Sequence, residues 1–238
     1  MKLDILAFGA HPDDVELGCS GTIAKEISLG KKVGIIDLTR GELGTRGSVE
    51  IRNRESEDAA KILGVSIREN LDMRDGFFLN DESHQLRIIE IIRKYKPEIV
   101  LCNAVDDRHI DHAKGSKLVS DACFLSGLVK IETAIDGTQQ VAWRPKLVYH
   151  YIQWKNIEPD FVLDITGFID KKESSILAYG SQFYNPNSEE PETPIATKNF
   201  LESIHNRSRE LGRLIGTEYA EGFTVERYLA VNSLGDLI

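Results

Sequence analysis

Short apolar segments alternate with segments of helical periodicity along this chain. Residues 3–8, 32–38 and 98–103 have the mainly apolar character of buried strands, and patterns of helical period follow them. This alternation is typical of an α/β domain, in which helices cover both faces of a mainly parallel sheet. With 238 residues the chain is near the upper limit for one hydrophobic core. We therefore predict one α/β domain over residues 1–238, a three-layer sandwich with a mainly parallel sheet.

Residues that start or stop helices set the boundaries of the predicted elements. Pro12 suits a first helical turn, whereas Gly30 and Pro97 end helices. The predicted strands are residues 3–8, 32–38, 98–103, 146–153 and 161–165. The predicted helices are residues 12–29, 48–64, 82–96, 112–128, 170–179 and 199–215. The segment 181–197 contains three prolines, and we predict a mobile loop there.

The net charge and the cysteines indicate which binding partners and which cellular compartment to expect. The chain has 29 Lys and Arg against 38 Asp and Glu, a net charge of −9. Its longest basic stretches are pairs of lysines, which disfavours binding to nucleic acid or to an anionic membrane. The N-terminal apolar run is too short for a signal segment or a membrane span. Three cysteines without CxxC spacing fit reduced thiols, so we expect a cytoplasmic protein with a small-molecule substrate.

Two polar clusters follow predicted strands, where α/β sheets place their functional crevice. His11, Asp13 and Asp14 come directly after the first strand, and residues 109–112 follow the strand at 98–103 with the sequence His-Ile-Asp-His. Acidic residues in a first helical turn also complement the helix dipole without any function. Together, however, the clusters offer a carboxylate and two imidazoles from separate strand ends to one metal ion.

Such a donor set, with a position left for water and no cysteine, is expected of catalytic zinc. A bound zinc ion lowers the pKa of its water ligand to about 7 and polarises a carbonyl oxygen. His11 and Asp14 are three residues apart on one side of a helical turn, which assigns Asp14 to the metal. Asp13 is then the candidate general base. His109 and Asp111 remain for oxyanion stabilisation or for proton delivery to a leaving amine.

Residues 10–14 (Ala-His-Pro-Asp-Asp) and 109–112 (His-Ile-Asp-His) resemble the motifs of the PIG-L/LmbE-like family of zinc-dependent N-deacetylases. Residues 37–39, 178–183 and 219–223 also look like family segments, so the resemblance spans nearly the whole chain. These enzymes remove the acetyl group from N-acetylglucosaminyl conjugates. Within the family, the chain is most similar to the branch that deacetylates N-acetylglucosaminyl-malate in bacillithiol biosynthesis.

The resemblance implies an LmbE-like, Rossmann-like fold and a bound divalent metal, Zn²⁺ or another transition metal. It further implies a homo-oligomer, with a hexamer as the candidate assembly. The implied metal ligands are His11, Asp14 and His112, the implied base is Asp13, and the implied catalytic His–Asp pair is His109 and Asp111.

The sequence departs from some relatives at a loop tyrosine that helps to hold the oxyanion. The aligned position here is Phe200, and Tyr184 is the other candidate. If Phe200 is the equivalent residue, His109 and the metal carry this role alone.

Arg52 and Arg108 are the candidate substrate-binding residues. A malate aglycone has two carboxylates, and a guanidinium can fix a carboxylate through two parallel hydrogen bonds. Arg52 lies near the start of a predicted helix beside the loop 39–47, and Arg108 adjoins His109. Arginines are often solvated surface charges, but we expect both of these to bind the aglycone.

Other functions explain these motifs less well. Non-haem iron oxygenases use the same ligand types, but usually on an all-β barrel rather than at strand–helix junctions. A metal-free carbohydrate-binding module would leave neighbouring carboxylates uncompensated. The chain has no Gly-x-Ser-x-Gly elbow, and no GxGxxG motif follows its first strand. Deacetylation of another N-acetylglucosamine conjugate or of a chitooligosaccharide remains the alternative activity, and carbohydrate binding remains the non-enzymatic alternative.

Overall fold

A seven-stranded sheet flanked by helices forms the centre of the protein. The structure is a computed structural model that describes residues 1–236. The strands are β1 (Ile5–Gly9), β2 (Val33–Thr39), β3 (Ile67–Met73), β4 (Ile99–Cys102), β5 (Ala134–Ile135), β6 (Thr138–Gln139), β7 (Leu147–Tyr151), β8 (Phe161–Asp164) and β9 (Ala220–Val225). The helices are α1 (Asp14–Ser28), α2 (Val49–Leu63), α3 (Glu82–Tyr95), α4 (Ile110–Leu125), α5 (Ile169–Leu177) and α6 (Lys198–Leu214). No helix within the described range has the length and apolar character needed to cross a membrane.

The strand order in the sheet is β3-β2-β1-β4-β7-β9-β8, and β5 pairs with β6 in a separate hairpin. The first five strands of the sheet are parallel, whereas β9 runs antiparallel to both of its neighbours. Parallel neighbours need crossover connections, which helices provide here. The predicted α/β fold with a mainly parallel sheet is therefore confirmed.

Alternate side chains of the parallel strands enter two separate cores. On one face, Leu6 and Phe8 of β1 join a buried cluster with side chains of α3 and α4. On the other face, Ile5 and Ala7 join a cluster with side chains of α1, and α5 packs against α1 and α2. Strands buried on both faces need apolar residues at successive positions, which explains the continuous apolar runs in the sequence.

The sequence does not predict β3 or β9, for different physical reasons. β3 is an edge strand with the sequence Ile-Arg-Glu-Asn-Leu-Asp-Met, so it lacks a buried apolar run. β9 lies between β7 and β8 but contains the buried Glu221. Lys172 pairs with Glu221 at 2.7 Å, and the backbone N–H groups of Gly21 and Thr22 donate hydrogen bonds to it. These partners are remote in sequence, so the pattern alone does not reveal a strand.

The two helices that carry the polar clusters begin at other residues than predicted. α1 begins at Asp14, two residues late, because Asp13 has a φ of 121°, outside the helical region. α4 begins at Ile110, two residues early, with His109 as its N-cap. The other predicted boundaries lie within three residues of the observed ones, and residues 181–197 contain no helix or strand, as predicted.

Gly18 allows α1 to approach the buried ring of Tyr151. A Cβ atom at Gly18 would lie 2.1 Å from Cδ2 of this ring, whose hydroxyl donates a hydrogen bond to the Phe8 carbonyl oxygen. We expect Gly18→Ala to lower the free energy of unfolding by roughly 1–3 kcal/mol, the usual cost of overpacking. Gly115→Ala in α4 is the matched control, because its nearest neighbour is the end of the Leu38 side chain at 3.2 Å. Equal stability of the two variants in urea would rule out this packing constraint.

Candidate metal centre and catalytic site

The structure brings the two predicted clusters together at the carboxyl ends of β1 and β4. These strands are neighbours, and the next strands, β2 and β7, lie on opposite sides of them. Such a switch point opens a binding crevice in α/β proteins. The ring centroids of His11 and His109 are 4.7 Å apart, and those of His11 and His112 are 5.6 Å apart. The clustered residues thus lie where this type of sheet binds ligands.

The Asp14 carboxylate lies between two of these histidines. Its Oδ2 is 3.6 Å from Nδ1 of His11, and its Oδ1 is 3.1 Å from Nε2 of His112. Two ligand atoms held at about 2.1 Å by a tetrahedral zinc ion lie roughly 3.4 Å apart. Asp14 is therefore within about ligand spacing of each histidine through a different oxygen, and the assignment of His11, Asp14 and His112 to one metal ion stays a prediction.

The other ring nitrogen of each of these histidines faces carboxylates. Nε2 of His11 lies 3.1 Å from Asp75 Oδ1 and 3.4 Å from Asp111 Oδ2. Nδ1 of His112 lies 2.5 Å from Asp107 Oδ2. Histidine ligands commonly donate their second N–H to such a group, which fixes the tautomer and raises the basicity of the ligating nitrogen. Nδ1 of His11 and Nε2 of His112 are therefore the nitrogens left for a metal.

Two groups of described side chains have donor atoms that all lie within 4.8 Å of one another: His11 with His109 and His112, and His11 with Asp75 and Asp111; Asp14 belongs to neither group. The second group is buried, and Asp111, at 0% exposure, is already paired with Lys114 at 2.8 Å. A catalytic metal needs a position that substrate and water can reach. Asp75 lines a cavity of about 600 Å³ at this end of the sheet, but Asp111 is absent from its described lining, whereas His11, Asp14 and His112 all line it. This difference favours the side of His11 that faces Asp14.

The carboxylates make this region favourable for a cation. Burial opposes protonation of His112, but the charge of Asp14 and hydrogen bonds to Asp107 and Asp14 raise its pKa to about 9. Burial also lowers the pKa of His11, but hydrogen bonds to the surrounding carboxylates outweigh this effect and raise the pKa above its usual value. Although burial alone would raise the pKa of Asp14, the charge of His112 and hydrogen bonds from both histidines hold it below its usual range. A divalent metal would replace these protons and supply the positive charge.

Asp13, the second carboxylate of the first cluster, lies outside this ligand set. Its φ of 121° is strained for a residue with a Cβ, and such conformations cost about 1–3 kcal/mol. Burial raises the pKa of Asp13 to about 7, and the charge of the Arg52 guanidinium, 3.1 Å away, partly offsets this effect. Asp13 lines the cavity, where a carboxylate of near-neutral pKa suits a general base.

Arg52, a predicted substrate-binding residue, lines the cavity and contacts Asp13. Nη2 of Arg52 donates to Asp13 Oδ2 and to the Pro12 carbonyl oxygen, and Nη1 donates to the Gly41 carbonyl oxygen. Both terminal amino groups thus donate to the protein, while Nε has no hydrogen-bond partner among the described residues, and the side chain is only 6% exposed. Arg52 therefore positions Asp13, and its predicted contact with a substrate carboxylate stays a prediction.

The predicted pairing of the His109 and Asp111 side chains is corrected. The backbone N–H of Asp111 donates to Nδ1 of His109 at 3.3 Å, while the Asp111 carboxylate faces His11 and Lys114. Asp111 is therefore a residue that positions His11. Burial and the nearby charges of His11 and His112 lower the pKa of His109, and its Nδ1 accepts a hydrogen bond. We infer a neutral ring with its proton on Nε2, available to the cavity that His109 lines.

The cavity has a volume of about 600 Å³, within the range of small-molecule sites. Phe200 lines it and stacks on Trp154 with a centroid distance of 5.3 Å, whereas Tyr184 is absent from its described lining. Of the two candidate positions, only Phe200 therefore lies at the cavity in the part of the chain that the structure describes. Arg108 also lines the cavity, with its guanidinium carbon 4.6 Å from the centre of the Trp154 ring.

Sequence analysis missed several polar residues that hold the site together. Asn103 and Gln153 donate hydrogen bonds of 2.9 Å to opposite oxygens of the Asp14 carboxylate. Both are polar residues that end a predicted strand, a signal that could have identified them. Asp107 adjoins the second cluster in sequence, but Asp75 follows β3, the strand that the pattern does not reveal.

The fold and the site define an α/β protein with a candidate catalytic metal centre at the switch point of its sheet. Residues 6–123, which include both clusters, match the family model described as PIG-L: GlcNAc-PI de-N-acetylase. The conserved protein TT1542 from Thermus thermophilus, a solved structure, is 34% identical, with a TM-score of 0.85 and coverage of 97% of this chain and 98% of that one. This chain belongs to the PIG-L/LmbE family.

Proteins similar to this chain are named for more than one activity. Diacetylchitobiose deacetylase of Thermococcus kodakarensis is 28% identical over 232 residues, which are 92% of this chain and 81% of that protein. The 4-oxalmesaconate hydratase of Pseudomonas putida is 27% identical over 192 residues, 74% of this chain and 73% of that protein. Five such relatives are covered over 52% to 81% of their own lengths. Family membership alone therefore does not decide between deacetylation and hydration.

Proposed function

We propose that this protein is a metal-dependent hydrolase that removes the N-acetyl group from an N-acetylglucosaminyl conjugate. One observation carries the proposal: the buried Asp13 carboxylate, outside the ligand set, lines the same cavity as His11, Asp14 and His112. Amide hydrolysis needs a base for water, stabilisation of the oxyanion and a proton for the leaving amine. The cavity offers a candidate group for each.

The ligand set would hold zinc or another divalent transition metal, which when bound polarises the acetyl carbonyl group and acidifies water. Asp13 accepts the proton of the attacking water, and Arg52 holds the Asp13 carboxylate in place. His109 carries a proton on Nε2 that it can share with the developing oxyanion or deliver to the leaving amine. Trp154 and Phe200 offer aromatic surface for the sugar ring.

The proposed substrate is N-acetylglucosaminyl-malate, as in bacillithiol biosynthesis. Arg108 supports an anionic aglycone, because its guanidinium lines the cavity and forms no salt bridge with the described residues. A chitooligosaccharide is the alternative, supported by the relative named diacetylchitobiose deacetylase. The two substrates differ in charge, so one assay separates them.

The test is acetate release from N-acetylglucosaminyl-malate and from diacetylchitobiose, with consumption of 4-oxalmesaconate measured in parallel. We expect one acetate to be released for each N-acetyl amide bond that is hydrolysed. We also expect kcat/KM to be about tenfold or more higher for the malate conjugate, which is the effect of one charge-assisted contact. A preference for diacetylchitobiose would retain the deacetylase and reject the malate assignment. Hydration of 4-oxalmesaconate without any acetate release would show that the protein is a hydratase and not a deacetylase. Binding of both conjugates without turnover would indicate a carbohydrate-binding protein.

A further inference from the structure

Two cationic side chains that line the cavity have no carboxylate partner among the described residues. Its lining includes four arginines, namely Arg46, Arg52, Arg108 and Arg207. Arg46 is paired with Glu190, and Arg52 is paired with Asp13. Across residues 1–236, neither Arg108 nor Arg207 forms a salt bridge. Two guanidinium groups therefore remain free to bind a ligand.

Arg207 reaches the cavity because of its spacing along α6. One face of this helix, with positions separated by three, four and seven residues, lines the cavity with Phe200, Ser203, Ile204 and Arg207. Nη2 of Arg207 donates a hydrogen bond of 2.7 Å to the Trp154 carbonyl oxygen. The Trp154 ring is the one on which Arg108 stacks. Trp154 thus holds both guanidinium groups at one wall.

The surroundings of Arg207 favour an added anion. Burial lowers the pKa of Arg207, and only the charge of Asp107 opposes this effect. Asp107 is itself engaged, since it accepts hydrogen bonds from Nδ1 of His112 and from the backbone N–H of Lys155. A partly desolvated guanidinium gains from a charge-assisted hydrogen bond to a carboxylate, and its planar fork suits two parallel bonds.

We propose that Arg207, together with Arg108, forms an anion subsite that binds a carboxylate of the aglycone. This inference rests on the proposed deacetylase function and deepens it, because it names Arg207 as a residue that selects a conjugate with a carboxylate-bearing aglycone. The subsite determines specificity and adds nothing to the chemistry at the acetyl group.

The test compares Arg207→Gln with the parent on N-acetylglucosaminyl-malate and on methyl N-acetylglucosaminide, which lacks carboxylates. We expect KM for the malate conjugate to rise about 10–100-fold with kcat nearly unchanged, because the contact is equal in the ground and transition states. KM for the neutral glycoside should stay within about twofold, since it makes no such contact. Arg209→Gln is the matched control, an exposed arginine on α6 outside the cavity lining, and it should change neither value.

Equal losses on both substrates would show that Arg207 only anchors the Trp154 carbonyl group, and unchanged kinetics would remove it from the site. Binding is measured separately by calorimetry in the Asp13→Asn background, where turnover is suppressed. There the malate conjugate should bind more tightly than the neutral glycoside, and Arg207→Gln should abolish the difference. This readout decides the subsite even if the parent releases no acetate, an outcome that would reject only the proposed function. No difference in binding before the substitution would overturn the subsite.

Discussion

Asp13→Asn should reduce the rate of acetate release by roughly 10²–10⁴-fold while leaving the bound metal at its parent level. The amide cannot accept the proton of the attacking water, but its oxygen can still accept the hydrogen bond from Arg52. Asparagine also tolerates a positive φ better than most residues, so the strained backbone at this position is retained. The measurement is kcat for acetate release with metal content determined on the same sample.

Asp72→Asn is the matched control for this variant. Asp72 is exposed and has a positive φ of 49°, so the same chemical change is made on a similar backbone away from the cavity. The control should retain full activity. Turnover of Asp13→Asn within a few-fold of the parent would show that another group activates the water.

Removal of a metal ligand should cost far more metal affinity than removal of a residue that supports a ligand. We expect His11→Ala, Asp14→Ala and His112→Ala each to lose most of the bound metal. Asp107→Asn and Asp111→Asn should weaken binding by only about 10–100-fold, the usual effect of losing a partner behind a ligand. Titration with Zn²⁺ against a competing chelator measures all five affinities.

These variants also separate the two sides of His11. If the metal bound between Asp75 and Asp111, Asp111→Asn would lose as much affinity as His11→Ala, and Asp14→Ala would retain the metal. Circular dichroism of each variant checks that a loss of metal affinity is not caused by unfolding. If Asp111→Asn lost more affinity than Asp14→Ala, the metal would be assigned to the side of the His11 ring that faces Asp75 and Asp111.

Much of the fold was predictable because its central strands are buried on both faces. The runs that became β1, β2 and β4 need apolar residues at successive positions, and this requirement is visible in the sequence. The clusters after β1 and β4 were predictable for a related reason, since a polar group that directly follows a buried strand lies at the sheet edge. Glu221 in β9 was not predictable, because the lysine that balances its charge lies 49 residues earlier.

The roles of the arginines depended on contacts that spacing does not encode. Arg52 was correctly placed at the site, but its hydrogen bond to Asp13, 39 residues away, could not be predicted from spacing. Arg207 has a sequence signal, the spacing of seven residues from Phe200 along one helix face. That signal has meaning only once α6 is known to cover the cavity. The φ of Asp13, which delays the start of α1, has no signature in the sequence.

Removal and return of the metal is the most direct test of a metal-dependent deacetylase. The protein is treated with a chelator, dialysed, and assayed for acetate release from N-acetylglucosaminyl-malate before and after addition of Zn²⁺. We predict release at background level without metal and recovery of the parent rate with one equivalent of Zn²⁺ per chain. A full rate of release by metal-free protein would contradict the assignment of His11, Asp14 and His112 to a catalytic metal.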